Sequence, residues 1–181
     1  EQVRTAFERV GGELGAPTLL VCATGVVREA PIEATSLADW NLVVDSSLTG
    51  SFLAIRAVVP AMRDAGGGAI VAIGSGYGRK GYRNGASYAA AKSGLEGLIK
   101  SVALETAADG IRANVVAPGP VETPMIDHIP DQRLAATREA IPQGRIATPE
   151  EVVAPTLYLL SAEASHVTGQ VLHVNGGLLM P

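Results

Sequence analysis

Tyr88 and Lys92 stand four residues apart in Tyr88-Ala89-Ala90-Ala91-Lys92, a spacing that puts both on one helix face. A phenol ionises near pH ~10 and is a poor acid or base at neutrality. A nearby ammonium stabilises the phenolate, which makes proton exchange at that oxygen useful. An isolated Tyr-x-x-x-Lys is more often a chance surface pair. Ser75 shifts that balance. It lies thirteen residues before Tyr88, at the carboxyl end of a predicted strand, where its hydroxyl can hold a substrate carbonyl while Tyr88 donates the proton. Alone, Ser75 reads as a turn residue capping local backbone. The three together point to acid–base chemistry at a carbonyl or alcohol carbon.

The elements that must position them follow from hydrophobic periodicity. Val3, Ala6, Phe7, Val10 and Leu14 open the chain at helical spacing, and Gly15 stops that helix. Thr18–Ala23 is a short, nearly all-apolar run, as expected of a parallel strand buried on both faces, and Ala69–Ile73, Ile111–Ala117 and Val171–Val174 read as three further strands. Between them the pattern predicts helices over about Leu37–Ala65, with a break, and about Ser87–Ala108. Two further helices are predicted over 131–140 and 149–161. Strands alternating with helices predict one α/β domain over residues 1–181: a partial doubly wound, Rossmann-like parallel sheet with helices on both faces. Ligands bind beyond the carboxyl ends of such strands, which singles out the loops after Ala23, Ile73, Ala117 and Val174.

Composition narrows the function class. Hydrophobic residues make up 47% and charged residues 18% of the 181, a globular balance. The net charge of −4 argues against nucleic acid as the main partner, since phosphates require a basic face. The single cysteine, Cys22, excludes an internal disulfide and suggests a reduced, cytoplasmic compartment. No apolar run reads as long enough to span a membrane, no metal-ligand cluster is evident, and Glu1-Gln2-Val3-Arg4 is not a signal peptide.

Ser75, Tyr88 and Lys92 at these spacings resemble the short-chain dehydrogenase/reductase family. So do the helix Gly94–Glu105, the strand Gly110–Gly119, and the tail Thr168–Gly177 with its Asn175-Gly176-Gly177 turn. The resemblance implies an oxidoreductase that uses NAD or NADP to interconvert a ketone and a secondary alcohol. It implies Tyr88 as general acid or base, Lys92 as the residue that lowers the tyrosine pKa and holds the nicotinamide ribose, and Ser75 as the residue that positions the carbonyl. The loop Pro118-Gly119-Pro120-Val121-Glu122-Thr123-Pro124 corresponds to the family's nicotinamide carboxamide site, with backbone at Val121 and the side chain of Thr123. Without that resemblance it is a rigid turn. The family also implies a homodimer or homotetramer formed through the helices about Leu48–Ala65 and Ser87–Ala108. Ala54, Ala57, Val58, Ala89, Ala90, Leu98 and Val102 suggest a second apolar face on these helices. A substrate lid is expected over about Met125–Gly144.

Three departures qualify the resemblance. The family's Asn-Asn-Ala-Gly reads Cys22-Ala23-Thr24-Gly25, with only Gly25 matching. The fourth catalytic position, an asparagine in the family, is Ser47, whose hydroxyl reaches less far. The glycine-rich dinucleotide loop belongs to a front half of the sheet that this sequence lacks, so the chain reads as an N-terminally truncated member, and these 181 residues alone are expected to bind the dinucleotide weakly. Gly76-Tyr77-Gly78-Arg79-Lys80-Gly81 is a literal G-x-G-x-x-G. Gly85 interrupts any helix opening at Gly81, so the stretch is expected to be a loop. Its cations Arg79, Lys80 and Arg83 are expected to form a solvated rim, or less often to attract an acidic substrate or a carrier's phosphate. An alternative to the enzyme is a catalytically impaired remnant serving as an oligomeric scaffold or assembly module.

Overall fold

The computed structural model describes residues 1–127 and 129–180. Four strands, β1 (Leu19–Cys22), β2 (Gly68–Ile73), β3 (Ile111–Pro118) and β4 (Val171–Val174), form one sheet in that order. All three pairings are parallel, with Leu19 opposite Ala69, Gly68 opposite Ile111, and Val115 opposite Val171. Parallel neighbours require crossovers, and the helices supply them. In chain order these are α1 (Gln2–Leu14), α2 (Leu37–Val44), α3 (Gly50–Asp64), α4 (Tyr77–Lys80), α5 (Ala86–Thr106), α6 (Asp131–Ala140) and α7 (Pro149–Leu160).

The sheet is covered on both faces. On one, Ile55, Val58 and Met62 of α3 and Leu95, Ile99 and Val102 of α5 pack on Ile70, Ala72, Ala113 and Val115, with Phe7 of α1 at the margin. On the other, Leu159 of α7 and Ala164 pack on Val71 and Val116. Alternate residues of β2 and β3 thus serve opposite cores, which is why Ala69–Ile73 of β2 reads as an unbroken apolar run.

Helix ends follow their sequence signals. Ser36 Oγ accepts the backbone N–H of Asp39 at 3.0 Å and caps α2. Pro149 opens α7, and the Glu151 carboxylate accepts the Thr148 N–H at 2.9 Å.

Three expectations are corrected. No break separates α2 from α3: a π-helical turn over Asp45–Thr49 joins them. The resulting helix, Leu37–Asp64, is by length and composition long and apolar enough to cross a membrane. Here Val43, Ser47, Ser51, Ile55, Val58 and Met62 are buried within the fold. Residues 76–81 are not all loop, because Tyr77–Lys80 makes one helical turn. Gly78 lets that turn pack closely: a methyl there would sit 3.0 Å from Lys92 C and Ser93 N, so a side chain would require the α4 and α5 backbones to move apart by a few tenths of an ångström.

Candidate active site

The loops after β1, β2 and β3, together with α6 and α7, enclose a cleft of about 570 Å³ at the carboxyl ends of the strands. Ser75, Tyr88 and Lys92 all line it, as do Gly25, Pro118, Gly119, Val121 and Thr123. Ser75 is buried just beyond the end of β2, and its Oγ accepts the N–H of Tyr77 at 3.2 Å. The first turns of α5 carry Tyr88 and Lys92 on one face, with Lys92 Nζ 5.6 Å from the Tyr88 ring centroid. The ammonium donates to the Ile73 carbonyl at 2.7 Å.

Burial dominates the electrostatics. It raises the Tyr88 phenol above its ordinary value, a hydrogen bond from Ser75 works the other way, and Tyr77 adds to the rise. The lowering contribution comes from Ser75 and not from Lys92, on which the spacing would place it. Lys92 itself is pushed down by burial to about 8.

Ser47 falls in the π-helical turn and is fully buried, with no hydrogen-bond partner for its Oγ among the described residues. It does not line the cleft, but it sits directly behind it. A methyl on Gly25 would lie 3.1 Å from Ser47 Oγ and 3.5 Å from Lys92 Nζ. Thr24 Oγ1 ties this loop to the turn by donating to the Ser46 carbonyl at 3.0 Å. Gly25 and Lys92 in the cleft wall and Ser47 behind it are therefore close neighbours. A π turn widens a helix locally and is frequent at functional sites.

At the Pro118–Pro124 loop, Thr123 Oγ1 contacts the Val121 carbonyl at 3.4 Å, and Gly119 lies against Asn175 of the closing turn. The expected lid spans a 3₁₀ turn at Pro124–Ile126 and α6. Met125, Ile126, Ile129, Arg133 and Leu134 from it line the cleft. His128 lies outside the described residues.

Two groups escaped the sequence reading. Arg79 is exposed on the rim, as are Lys80 and Arg83, but it also has a partner. Its Nε donates to Glu96 Oε2 at 2.5 Å, and the Glu96 side chain is only 5% exposed. The pair ties α4 to α5 beside the site. Farther out, Tyr77 stacks on Tyr82 with centroids 4.1 Å apart, and Tyr82 meets Tyr88 edge-on at 6.2 Å. Tyr82 in turn joins Glu29 and Arg133, residues 104 positions apart in the chain. Aromatic enrichment around Tyr88 was the only local signal of this cluster. Among the described residues no group of His, Cys, Asp and Glu is arranged to hold a metal.

Residues 1–179 match the family model described as enoyl-(acyl carrier protein) reductase. The chain is 36% identical over 180 residues to the 3-oxoacyl-[acyl-carrier-protein] reductase of Vibrio harveyi, covering 99% of this chain and 74% of that protein. It is 38% identical over 178 residues to the cis-4-hydroxycyclohexanecarboxylate dehydrogenase of Sinomonas cyclohexanicum, covering 98% and 72%. Its fold matches a crystal structure from Beutenbergia cavernae with a TM-score of 0.94 and 37% identity, covering 97% of this chain and 71% of that one. That protein is described as an NAD(P)-dependent gluconate 5-dehydrogenase, with NADP bound at low occupancy.

Proposed function

Because the chain belongs to the short-chain dehydrogenase/reductase family, we propose that it interconverts a ketone and a secondary alcohol with NAD or NADP, using Tyr88 as the general acid or base. The observation that carries this reading is the convergence of Ser75, Tyr88 and Lys92 on one cleft wall. In the direction of reduction the Tyr88 hydroxyl gives its proton to the carbonyl oxygen, and in oxidation it takes one from the alcohol. Ser75, in hydrogen-bonding contact with that phenol, holds the same oxygen and orients it. Lys92 places a positive charge behind the phenol.

The residues present fit the nicotinamide end of a dinucleotide. The buried Lys92 ammonium, the Thr123 hydroxyl and backbone groups at Pro118, Gly119 and Val121 would hold it, and Gly25 leaves room beside Lys92. When bound, the cofactor supplies or accepts the hydride. The relatives named above act on different substrates and share oxidoreductase chemistry, which supports the reaction class and leaves the substrate to the cleft.

Tyr88→Phe tests the reading. It removes only the transferable proton, so turnover should fall roughly 10²–10⁴-fold with the thermal melt unchanged. Near-normal turnover would remove Tyr88 from this role. Failure of the parent protein to turn over any ketone or alcohol would favour the assembly-module alternative.

The protein is further proposed to form a homodimer or homotetramer through α3 and α5. Outward-facing Phe52, 42% exposed, and Leu104, 85% exposed, support a second apolar face on these helices.

A further inference from the structure

The reading above leaves open which ketone, and the charged lining of the cleft narrows it. Among the described residues only Glu29, Lys92 and Arg133 bring charge to its wall. Lys92 is buried and bonded to Ile73. Arg133, on the lid helix, is therefore the cation that an acidic substrate would seek. Three of its five N–H donors are already engaged. Its Nη1 donates to Glu29 Oε2 at 2.9 Å and its Nη2 to Oε1 at 3.1 Å, a bidentate fork. Nη2 also donates to the Tyr82 hydroxyl at 3.1 Å, and that hydroxyl donates to Glu29. The backbone reinforces the arrangement: Ala30 N–H donates to the Asn84 carbonyl at 2.8 Å, clamping the Glu29 loop to the Tyr82 loop. The Glu29 side chain is 23% exposed, so its charge is partly withdrawn from water.

Resting on the proposed oxidoreductase function, we infer that Glu29 is a specificity-determining residue. By neutralising Arg133 and setting its own charge beside it, Glu29 disfavours carboxylates in the cleft, so the preferred substrates are neutral ketones and alcohols with an apolar body.

A substrate carboxylate would meet only the Nε–H and the second Nη1–H that Glu29 and Tyr82 leave on Arg133, and it would lie beside the Glu29 like charge. Discrimination of this kind relies on the repulsive element as much as the attractive one. The rest of the wall favours an uncharged body. Val27, Met125, Ile126, Ile129, Leu134 and Leu157 line it. Tyr82 is one ring contact from Tyr88, so the pair acts on whatever group extends past the reacting carbon.

The test compares 4-acetylbenzoate with its methyl ester. Dissociation constants are measured by ligand-observed NMR on the full chain, and turnover of the ester with NADPH is followed separately. The parent should favour the ester. Glu29→Gln should shift the acid-to-ester ratio toward the acid by roughly tenfold or more, the effect of freeing one charged hydrogen-bonding partner. Arg133→Gln in that background should reverse the gain. Arg133→Gln alone, which also breaks the contact to α6 but leaves Glu29 charged, should keep the ester preference. An unchanged ratio in Glu29→Gln, an acid preference in the parent, or no binding of either compound to any variant would overturn the assignment. A binding shift without turnover would leave this inference standing and count against the hydride-transfer reading. Turnover with a constant ratio would do the reverse.

Discussion

Lys92 shows how a buried charged residue of the candidate site weighs on the fold that carries it. Its folded value of about 8 lies below the ordinary 10.5 because burial disfavours the ammonium. Below pH 8 both folded and unfolded chains hold the proton, and the full penalty is present. Between about 8 and 10.5 the folded chain releases the proton while the unfolded chain keeps it, so stability rises with pH. Above 10.5 both are neutral. That span corresponds to about 3 kcal/mol. Urea melts at pH 7.5 and pH 10 should show this rise in the parent and its loss in Lys92→Met. An equal rise in both proteins would mean that the lysine is not desolvated. The same variant should lose turnover, so here stability and function pull apart.

At the level of elements, the contact between α4 and α5 sets the distance between Ser75 and Tyr88. Strand β2 delivers Ser75, α4 turns the chain immediately after it, and Gly78 lets that turn rest on the backbone at Lys92 and Ser93. The Arg79–Glu96 pair fastens the same contact from the side. Gly78→Ala would put a methyl where backbone atoms already lie at 3.0 Å, and backbone yields less readily than a flexible side chain. A loss of about 1–3 kcal/mol is expected, the range for an overpacked site. Turnover should fall as well, because α4 moves off the helix that carries Tyr88. Chemical denaturation and steady-state rates on one preparation would check both. Unchanged stability would show that α4 is free to shift.

For the whole molecule, the question is how the outer helix faces are used. Of the residues expected to form a second apolar face, Val58 and Val102 are buried in the first core, and Ala54 and Leu98 pack against it. Of the expected residues Ala90 is exposed, and Phe52 and Leu104 add apolar surface beyond them. Arg56 covers the Phe52 ring at 5.2 Å, a cation over an exposed aromatic face. Light scattering at micromolar concentration should report a dimer or tetramer, and a Phe52→Glu/Leu104→Glu double variant should report smaller species. A monodisperse parent monomer would contradict the proposed assembly.

What the sequence determined by itself is local. Strand and helix positions, the alternation that makes a parallel sheet, and the Ser75, Tyr88 and Lys92 constellation all rest on spacing within one element or across one short loop. Periodicity and turn chemistry encode these directly. Spacing could not reveal which effect wins at a buried group. It predicts a lowered Tyr88, whereas the folded site raises it, because desolvation depends on everything packed around the ring. Nor could it show that Gly25, Ser47 and Lys92 are close neighbours, or that Arg79 serves the buried Glu96. The pairing of Glu29 with Arg133, 104 residues away, has no sequence signature at all. It exists because the sheet gathers the loops after its strands at one end, where residues of α6 line the same cleft. Charge partners at such separations are chosen by tertiary structure alone.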